Sequence, residues 1–359
     1  MASRKPDSWI RSLRVINTGP FDDITVKFDR HVNVFTGPNN SGKTVLLSVL
    51  ASQLVPGFKL PGKFQREGTR WVVNGSVPAD AAMYVPALRF ATGFRASAPG
   101  RPSEKQTDLP YTESSDHLLQ TMVNLDYKAY REQSQEIREI NATIGALVSE
   151  ITVGYPVEFA GIGEDSGGFF PRFRTIDGVF PLDSLSQGTQ SLLHACARIV
   201  IEARQPGVLI IDEIDAHLHP AWQRRVIPAL RKFFPGLQLF CGTHSPLVVN
   251  GLNKGQIHLL RRDAQGKVVA SVNSADLTGW SCDDVYSILF DVEPVDQQTA
   301  EELASLKDLI AMGAPVDASQ TLKEQITRKM GPANDAHAQL LADQLLLEAA
   351  RRKSAGGKR

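Results

Sequence analysis

Cysteine is scarce in this chain. There are three among 359 residues, Cys196, Cys241 and Cys282, far apart and never in a C-x-x-C pair. That usage excludes a disulfide framework and points to a reducing compartment. Net charge is lacking too, with 39 basic residues against 39 acidic ones. Domains that hold nucleic acid by electrostatics alone are basic overall, so that class is disfavoured. No apolar run approaches the roughly 18 residues of a membrane helix, and runs such as Val208–Ile211 are only strand-sized. The opening M-A-S-R-K-P-D-S-W shows no apolar core of a secretory signal. These lacks together lead us to expect a cytoplasmic protein without a membrane partner. Apolar mass is not lacking: 42% of residues are hydrophobic and 22% charged. Such a chain can bury a sizeable core, which excludes disorder over its whole length.

A length of 359 residues gives a soft expectation of about two domains. Trp9–Asn17, Ile24–Phe28 and Val32–Thr36 read as strands, the third running into a glycine-rich loop and a helix over Gly42–Leu54. Trp71–Val77 and Ala82–Leu88 read as further strands. Ala91–Thr112, rich in Pro, Gly, Ser and charge, reads as a mobile surface segment. One helix is expected over about 114–151, where Ile137, Ile140, Ile144, Leu147 and Ile151 form a single core-facing stripe. The pattern is too short in heptads for a coiled-coil arm. Phe169–Phe180 reads as a hairpin around Asp177-Gly178. Helix Gln187–Arg204, strand Val208–Ile211, helix Pro220–Phe234 and strand Leu237–Cys241 then alternate as in a parallel sheet covered by helices. Beyond Asp263 the chain reads as mostly helical and charged, and its basic tail reads as a solvated terminus.

Two motifs carry chemistry. Gly37-Pro38-Asn39-Asn40-Ser41-Gly42-Lys43-Thr44 fits G-x-x-x-x-G-K-[ST], after a strand and before a helix as the motif requires. Glycines let the backbone curl until its N–H groups face a β-phosphate, and the helix N-terminus adds favourable partial charge. Lys43 is placed to neutralise β- and γ-phosphates, and the Thr44 hydroxyl to hold Mg²⁺. The second motif is Val208-Leu-Ile-Ile-Asp212-Glu213, a buried strand that carries two carboxylates to the edge of the sheet. Asp212 would support the Mg²⁺, and Glu213 would polarise the attacking water as general base. ATP and Mg²⁺ are the expected ligands.

A third motif narrows the class. Leu185-Ser186-Gln187-Gly188-Thr189-Gln190 opens a helix just upstream of the Asp212 strand. In this order the three motifs resemble those of ABC-type ATPases, whose L-S-x-G-x-Q signature precedes the Walker B strand. The resemblance implies that Ser186, Gly188 and Gln190 act on the γ-phosphate bound by an opposite subunit, hence a homodimer or higher oligomer. It also matches Ile214-Asp215-Ala-His217-Leu-His219-Pro220 to the D-loop, where two protomers meet. Gly242-Thr243-His244-Ser245-Pro246 matches the switch-histidine position, so that His244 would bond the γ-phosphate. His217 and His219 lack a third partner for a metal site and fall to the dimer-facing loop. The opening S-L-R-V-I-N-T-G-P-F-D-D-I-T-V-K-F, the loop G-P-N-N-S-G-K-T, the helix start L-D-S-L-S-Q-G-T-Q and I-D-E-I-D-A-H-L-H-P together resemble the SMC, RecF and OLD-type branch. T-H-S-P-L-V-V-N-G-L and G-W-S-C-D-D-V-Y-S-I-L-F resemble the small OLD-like ATPases of bacterial antiphage systems such as Septu. The likeness covers roughly residues 9–90 and 150–330.

The fold class so implied is α/β. It is an ABC-type head with an N-terminal antiparallel β lobe, a central parallel sheet, a helical insertion and a helical C-terminal region. Residues 1–90 would hold Walker A, 91–150 the flexible segment and insertion, 151–270 the signature, Walker B and switch histidine, and 271–359 the helical end. One departure stands out: the strand ending Tyr84-Val-Pro-Ala-Leu-Arg89 carries no Gln for Mg²⁺. No D-x-D acid pair follows Asp263, so a Toprim-type nuclease is not expected within these residues. The resemblance therefore implies a nucleotide-driven switch that controls a separate nuclease of HNH type, with DNA contact left open. A RecF-like DNA-maintenance ATPase is the alternative, and a transporter ATPase subunit ranks third.

Overall fold

The computed structural model describes residues 9–78, 81–85, 115–132, 134–203, 207–280, 282–290, and positions 298, 301–302, 304–306 and 308. The segment Ala91–Thr112 and Arg89 lie outside the described residues. In chain order come β1 (Ile10–Thr18), β2 (Phe21–Lys27), β3 (Val32–Thr36), α1 (Lys43–Leu54), β4 (Gln65–Gly75) and β5 (Ala82–Val85). Helices α2 (Ser115–Glu132) and α3 (Gln135–Thr152) precede β6 (Glu158–Asp165), β7 (Gly168–Thr175) and β8 (Gly178–Pro181). Then follow α4 (Gln187–Ala203), β9 (Val208–Ile211), α5 (Pro220–Gln223), α6 (Val226–Phe233), β10 (Gln238–Gly242), α7 (Pro246–Val249), β11 (Ile257–Arg262), β12 (Val268–Val272) and α8 (Cys282–Val285). The chain divides into two compact units, residues 1–285 and 286–359; the site lies wholly in the first.

A six-stranded sheet in the order β12-β11-β3-β10-β9-β5 forms the centre. Its strands β11, β3, β10, β9 and β5 run parallel, and only β12 is antiparallel. β3, β9 and β10 are buried along their whole length because the sheet is covered on both faces. This is why V-L-I-I reads as a continuous apolar run rather than an alternation. Strand β1 instead alternates: Leu13 and Val15 face the core, while Arg14 faces outward and pairs with Asp23 of β2 at 2.6 Å. The three-stranded sheet β2-β1-β4 is thus half-wet, as its sequence pattern requires. A buried amide joins the two sheets. Gln238 of β10 accepts from the Ile10 backbone N–H at 2.8 Å and donates to Ile10 O and Asp29 O at 2.8 and 2.9 Å.

Several elements differ from the sequence reading. The helix expected over 114–151 is two helices, α2 and α3, and α3 packs its Ile144, Leu147 and Ile151 stripe inward against α4 and α6. The Phe169–Phe180 hairpin is the second half of a three-stranded antiparallel sheet, β6-β7-β8. The helix over Pro220–Phe234 is broken into α5 and α6. Beyond Asp263 the chain first makes a strand. Asp263 Oδ1 accepts from the backbone N–H of Gln265 and Lys267, Gly266 takes φ 76°, and the turn sends Val268–Val272 back along β11. Turn chemistry and β-branched valines outweigh the charged composition there.

Candidate functional site

The loop between β3 and α1 is shaped by collisions that only glycine avoids. Gly37 has φ 143°, and a Cβ there would lie 2.2 Å from Leu260 O of β11. Gly42 has φ 95°, and its Cβ would strike the Phe21 ring at 2.4 Å. The loop is therefore pressed between β11 and the antiparallel lobe, which fixes its curl. Lys43, first residue of α1, donates from Nζ to Gly37 O at 2.8 Å and Pro38 O at 3.0 Å. Burial pushes its ammonium down to about 8, against the pull of Asp212, Asp215 and Glu213. Ser41 Oγ is buried in the same loop and has no hydrogen-bond partner, which suits a group brought in by a ligand.

β9 brings Asp212 and Glu213 to the same place. Burial raises the Asp212 carboxyl above the usual range, and a hydrogen bond from Thr44 opposes the rise. A hydroxyl and a carboxylate so joined are the oxygen donors a small hard cation takes, so Thr44 and Asp212 fit Mg²⁺. Glu213 holds φ 52°, a left-handed backbone that costs an ordinary residue free energy and that gathers at functional sites. His244, just beyond β10, is pushed down by burial and by Lys43, while Asp215 and Glu213 pull it up. Its imidazole is therefore favoured in the neutral form.

Thr44, Asp212, Glu213 and His244 share one pocket of about 660 Å³ with Asn39, Asn40, Gly42 and Lys43. It brings together residues more than 160 positions apart. Its other walls escaped the sequence reading: Gly19 and Pro20 from the β1–β2 turn, Lys63 and Phe64 ahead of β4, and Arg262 at the end of β11. Lys63 Nζ stands 5.1 Å from the centre of the Phe64 ring, and Phe64 O accepts from Gly19 N at 2.7 Å. No contiguous motif announces them.

Ser186 and Gly188 line a different pocket of about 710 Å³ with His217, His219 and Trp222. Ser186 Oγ takes the Thr189 backbone N–H at 3.2 Å and caps α4. Gln190 folds back, donating to Leu185 O at 2.7 Å. A Cβ on Gly188 would meet His217 O at 2.6 Å, so the loop after Glu213 lies directly on the start of α4. Asp215 in that loop accepts from Thr243 Oγ1 at 2.5 Å and ties it to the His244 loop. His219 Nδ1 accepts from Ala221 N and is occupied as a helix cap. Of the strand read over Ala82–Leu88, the described part is Ala82–Val85, and the Val85 carbonyl accepts from Asp212 N at 3.0 Å.

Residues 99–250 match the model of an AAA-domain family described as "AAA domain, putative AbiEii toxin, Type IV TA system". That stretch holds Leu185–Gln190, Asp212, Glu213 and His244, but not Gly37–Thr44. The Retron Ec83 probable ATPase of Escherichia coli is 30% identical over 164 residues, 43% of this chain and 28% of that protein. The Septu protein PtuA of Bacillus mycoides is 25% identical over 172 residues, 40% of this chain and 24% of the relative. PtuA of Bacillus thuringiensis is 32% identical over 157 residues, 39% of this chain and 38% of the relative. The chain thus matches well under half the length of these relatives. Among solved structures, an SMC head bound to the winged-helix domain of ScpA aligns at TM-score 0.49 and 14% identity, over 74% of this chain and 98% of that one.

Proposed function

From the similarity of this chain to the Septu PtuA and retron ATPases and, over residues 99–250, to an AAA-domain family, we propose that it binds and hydrolyses ATP as the switch of an antiphage defence complex. The observation that carries this is the convergence of Lys43, Thr44, Asp212, Glu213 and His244 on one pocket. Backbone N–H groups of the loop and the start of α1 receive the β-phosphate. Lys43 leaves the Gly37 and Pro38 carbonyls for the phosphates, where its positive charge is worth more than two neutral hydrogen bonds. Ser41 Oγ gains a phosphate oxygen as partner. Thr44 and Asp212 would hold Mg²⁺, which would supply positive charge against the phosphate oxygens. Glu213 takes the proton of the attacking water as general base, and neutral His244 faces the γ-phosphate. Phe64 and Lys63, both on the wall of the pocket, would meet the adenine.

Ser186 and Gly188 lie in another pocket of the same protomer, which supports a role on the nucleotide of a second copy. Two chains would then share two ATP sites head to tail. The effector is a separate polypeptide, a nuclease of HNH type, held and activated by nucleotide state. Two experiments test this. Glu213→Gln protein with ATP should sediment as a dimer; a strict monomer would overturn the shared site. The chain purified with its neighbouring gene products should cut plasmid only when the components are combined. Metal-dependent cutting by this chain alone would refute the separate effector. ATPase stimulated by DNA ends, with no neighbour bound, would favour DNA maintenance instead.

A further inference from the structure

We infer that Gln223, which belongs to none of the nucleotide motifs, is a positioning residue whose amide fixes the His244 loop to the loop after Glu213. The inference rests on the ATPase reading above. Gln223 ends the short helix α5 and is half-buried. Its Oε1 accepts from Ser245 Oγ at 2.6 Å. Its Nε2 donates to Leu218 O at 2.9 Å and, more weakly, to Asp215 O at 3.4 Å. The orientation is chemically forced. Turning the amide over would set its oxygen against the carbonyl oxygens of Leu218 and Asp215, which cannot donate.

His244 is thereby bracketed. On one side Thr243 Oγ1 donates to Asp215 at 2.5 Å and accepts from Ser245 N at 3.0 Å. On the other, Ser245 is held by Gln223. Both neighbours of His244 are tied to residues 215–218, while the imidazole between them remains exposed toward the nucleotide pocket. The far side of the same loop lies on α4 through His217 O and Gly188. Gln223 thus closes a continuous path from the signature helix, through the loop after Glu213, to the switch histidine. A histidine on a loop carries no fixed place for the γ-phosphate, and small misplacements at a reacting centre cost large factors in rate. Losing the clamp should therefore slow the chemical step and leave the phosphate loop's hold on ATP intact.

The test uses the full chain, with steady-state ATPase, binding of a fluorescent ATP analogue and thermal melting. Gln223→Leu keeps the volume and removes all three hydrogen bonds. We expect kcat to fall about tenfold or more, with KM and analogue affinity within about threefold of wild type. Ser245→Ala cuts the same link from the other end, so the double variant should be no slower than the slower single variant. Gln223→Glu retains the acceptor for Ser245, should recover part of the rate, and serves if the leucine variant fails to fold. The inference is overturned if Gln223→Leu turns over within twofold of wild type, if KM rather than kcat changes, or if the two single losses multiply. It is also overturned if the rate falls only in step with the melting temperature. A wild-type chain that neither binds nor hydrolyses ATP would instead remove the ATPase reading itself.

Discussion

Gly188→Ala separates two reasons for a glycine at the head of α4. On helix propensity alone, alanine should stabilise the protein by about 1 kcal/mol. The structure opposes that gain, because the new methyl would lie 2.6 Å from His217 O. A backbone carbonyl cannot rotate aside like a flexible side chain, so the loop after Glu213 must withdraw by several tenths of an ångström. Overpacking of this kind costs roughly 1–3 kcal/mol, which outweighs the propensity and leaves a net loss of about 0–2 kcal/mol. The displaced loop carries Asp215, whose bond to Thr243 positions His244, so turnover should fall about tenfold or more. Calorimetry and steady-state ATPase decide the matter together. A melting temperature above wild type with unchanged ATPase would refute the packing argument, because it is what helix propensity alone would produce.

Glu213→Gln should retain ATP binding and lose about two to four orders of magnitude in turnover, as expected for a removed general base; rapid-quench turnover near wild type would sink that assignment. Lys43 carries a linked pH dependence. Its folded value near 8 lies below its ordinary 10.5, so between these values the unfolded chain holds more protons and this group's contribution to stability rises with pH. Phosphate binding needs the charged form, so ATP affinity should weaken about tenfold from roughly pH 7 to roughly pH 9. Titration calorimetry should show this in wild type and a shallower slope in Lys43→Arg, and flat affinity in wild type would contradict it.

The parts of the site that were legible in the sequence are those whose chemistry is local. Gly37–Thr44 announces itself because a strand, tight glycine conformations and a helix start follow within a dozen neighbouring residues, and each leaves a residue-type mark. The same holds for β9, where a continuous aliphatic run ends in two acids, and for Ser186, whose cap bond is made to Thr189 three residues on. Charged composition hides strand β12 even though Asp263 closes its turn locally with Gln265 and Lys267, and the break between α2 and α3 lacks a capping bond from Ser134 that would mark it.

What the sequence by itself determined about this protein is the order of the stretches Gly37–Thr44, Leu185–Gln190 and Val208–Glu213 and the alternation of strand and helix that sets a parallel sheet. Tertiary structure alone decided which residues meet. Sheet order β3-β10-β9 brings Lys43, His244 and Asp212 to one edge, and close packing adds Phe64, Lys63 and Arg262 as walls that no motif names. It also placed Ser186 and Gly188 in a separate pocket and gave Gln223 its partners Ser245 and Leu218. Such pairings join segments distant in the chain. They depend on strand register and helix packing rather than on the conformational preferences of neighbouring residues, so a linear pattern carries no mark of them.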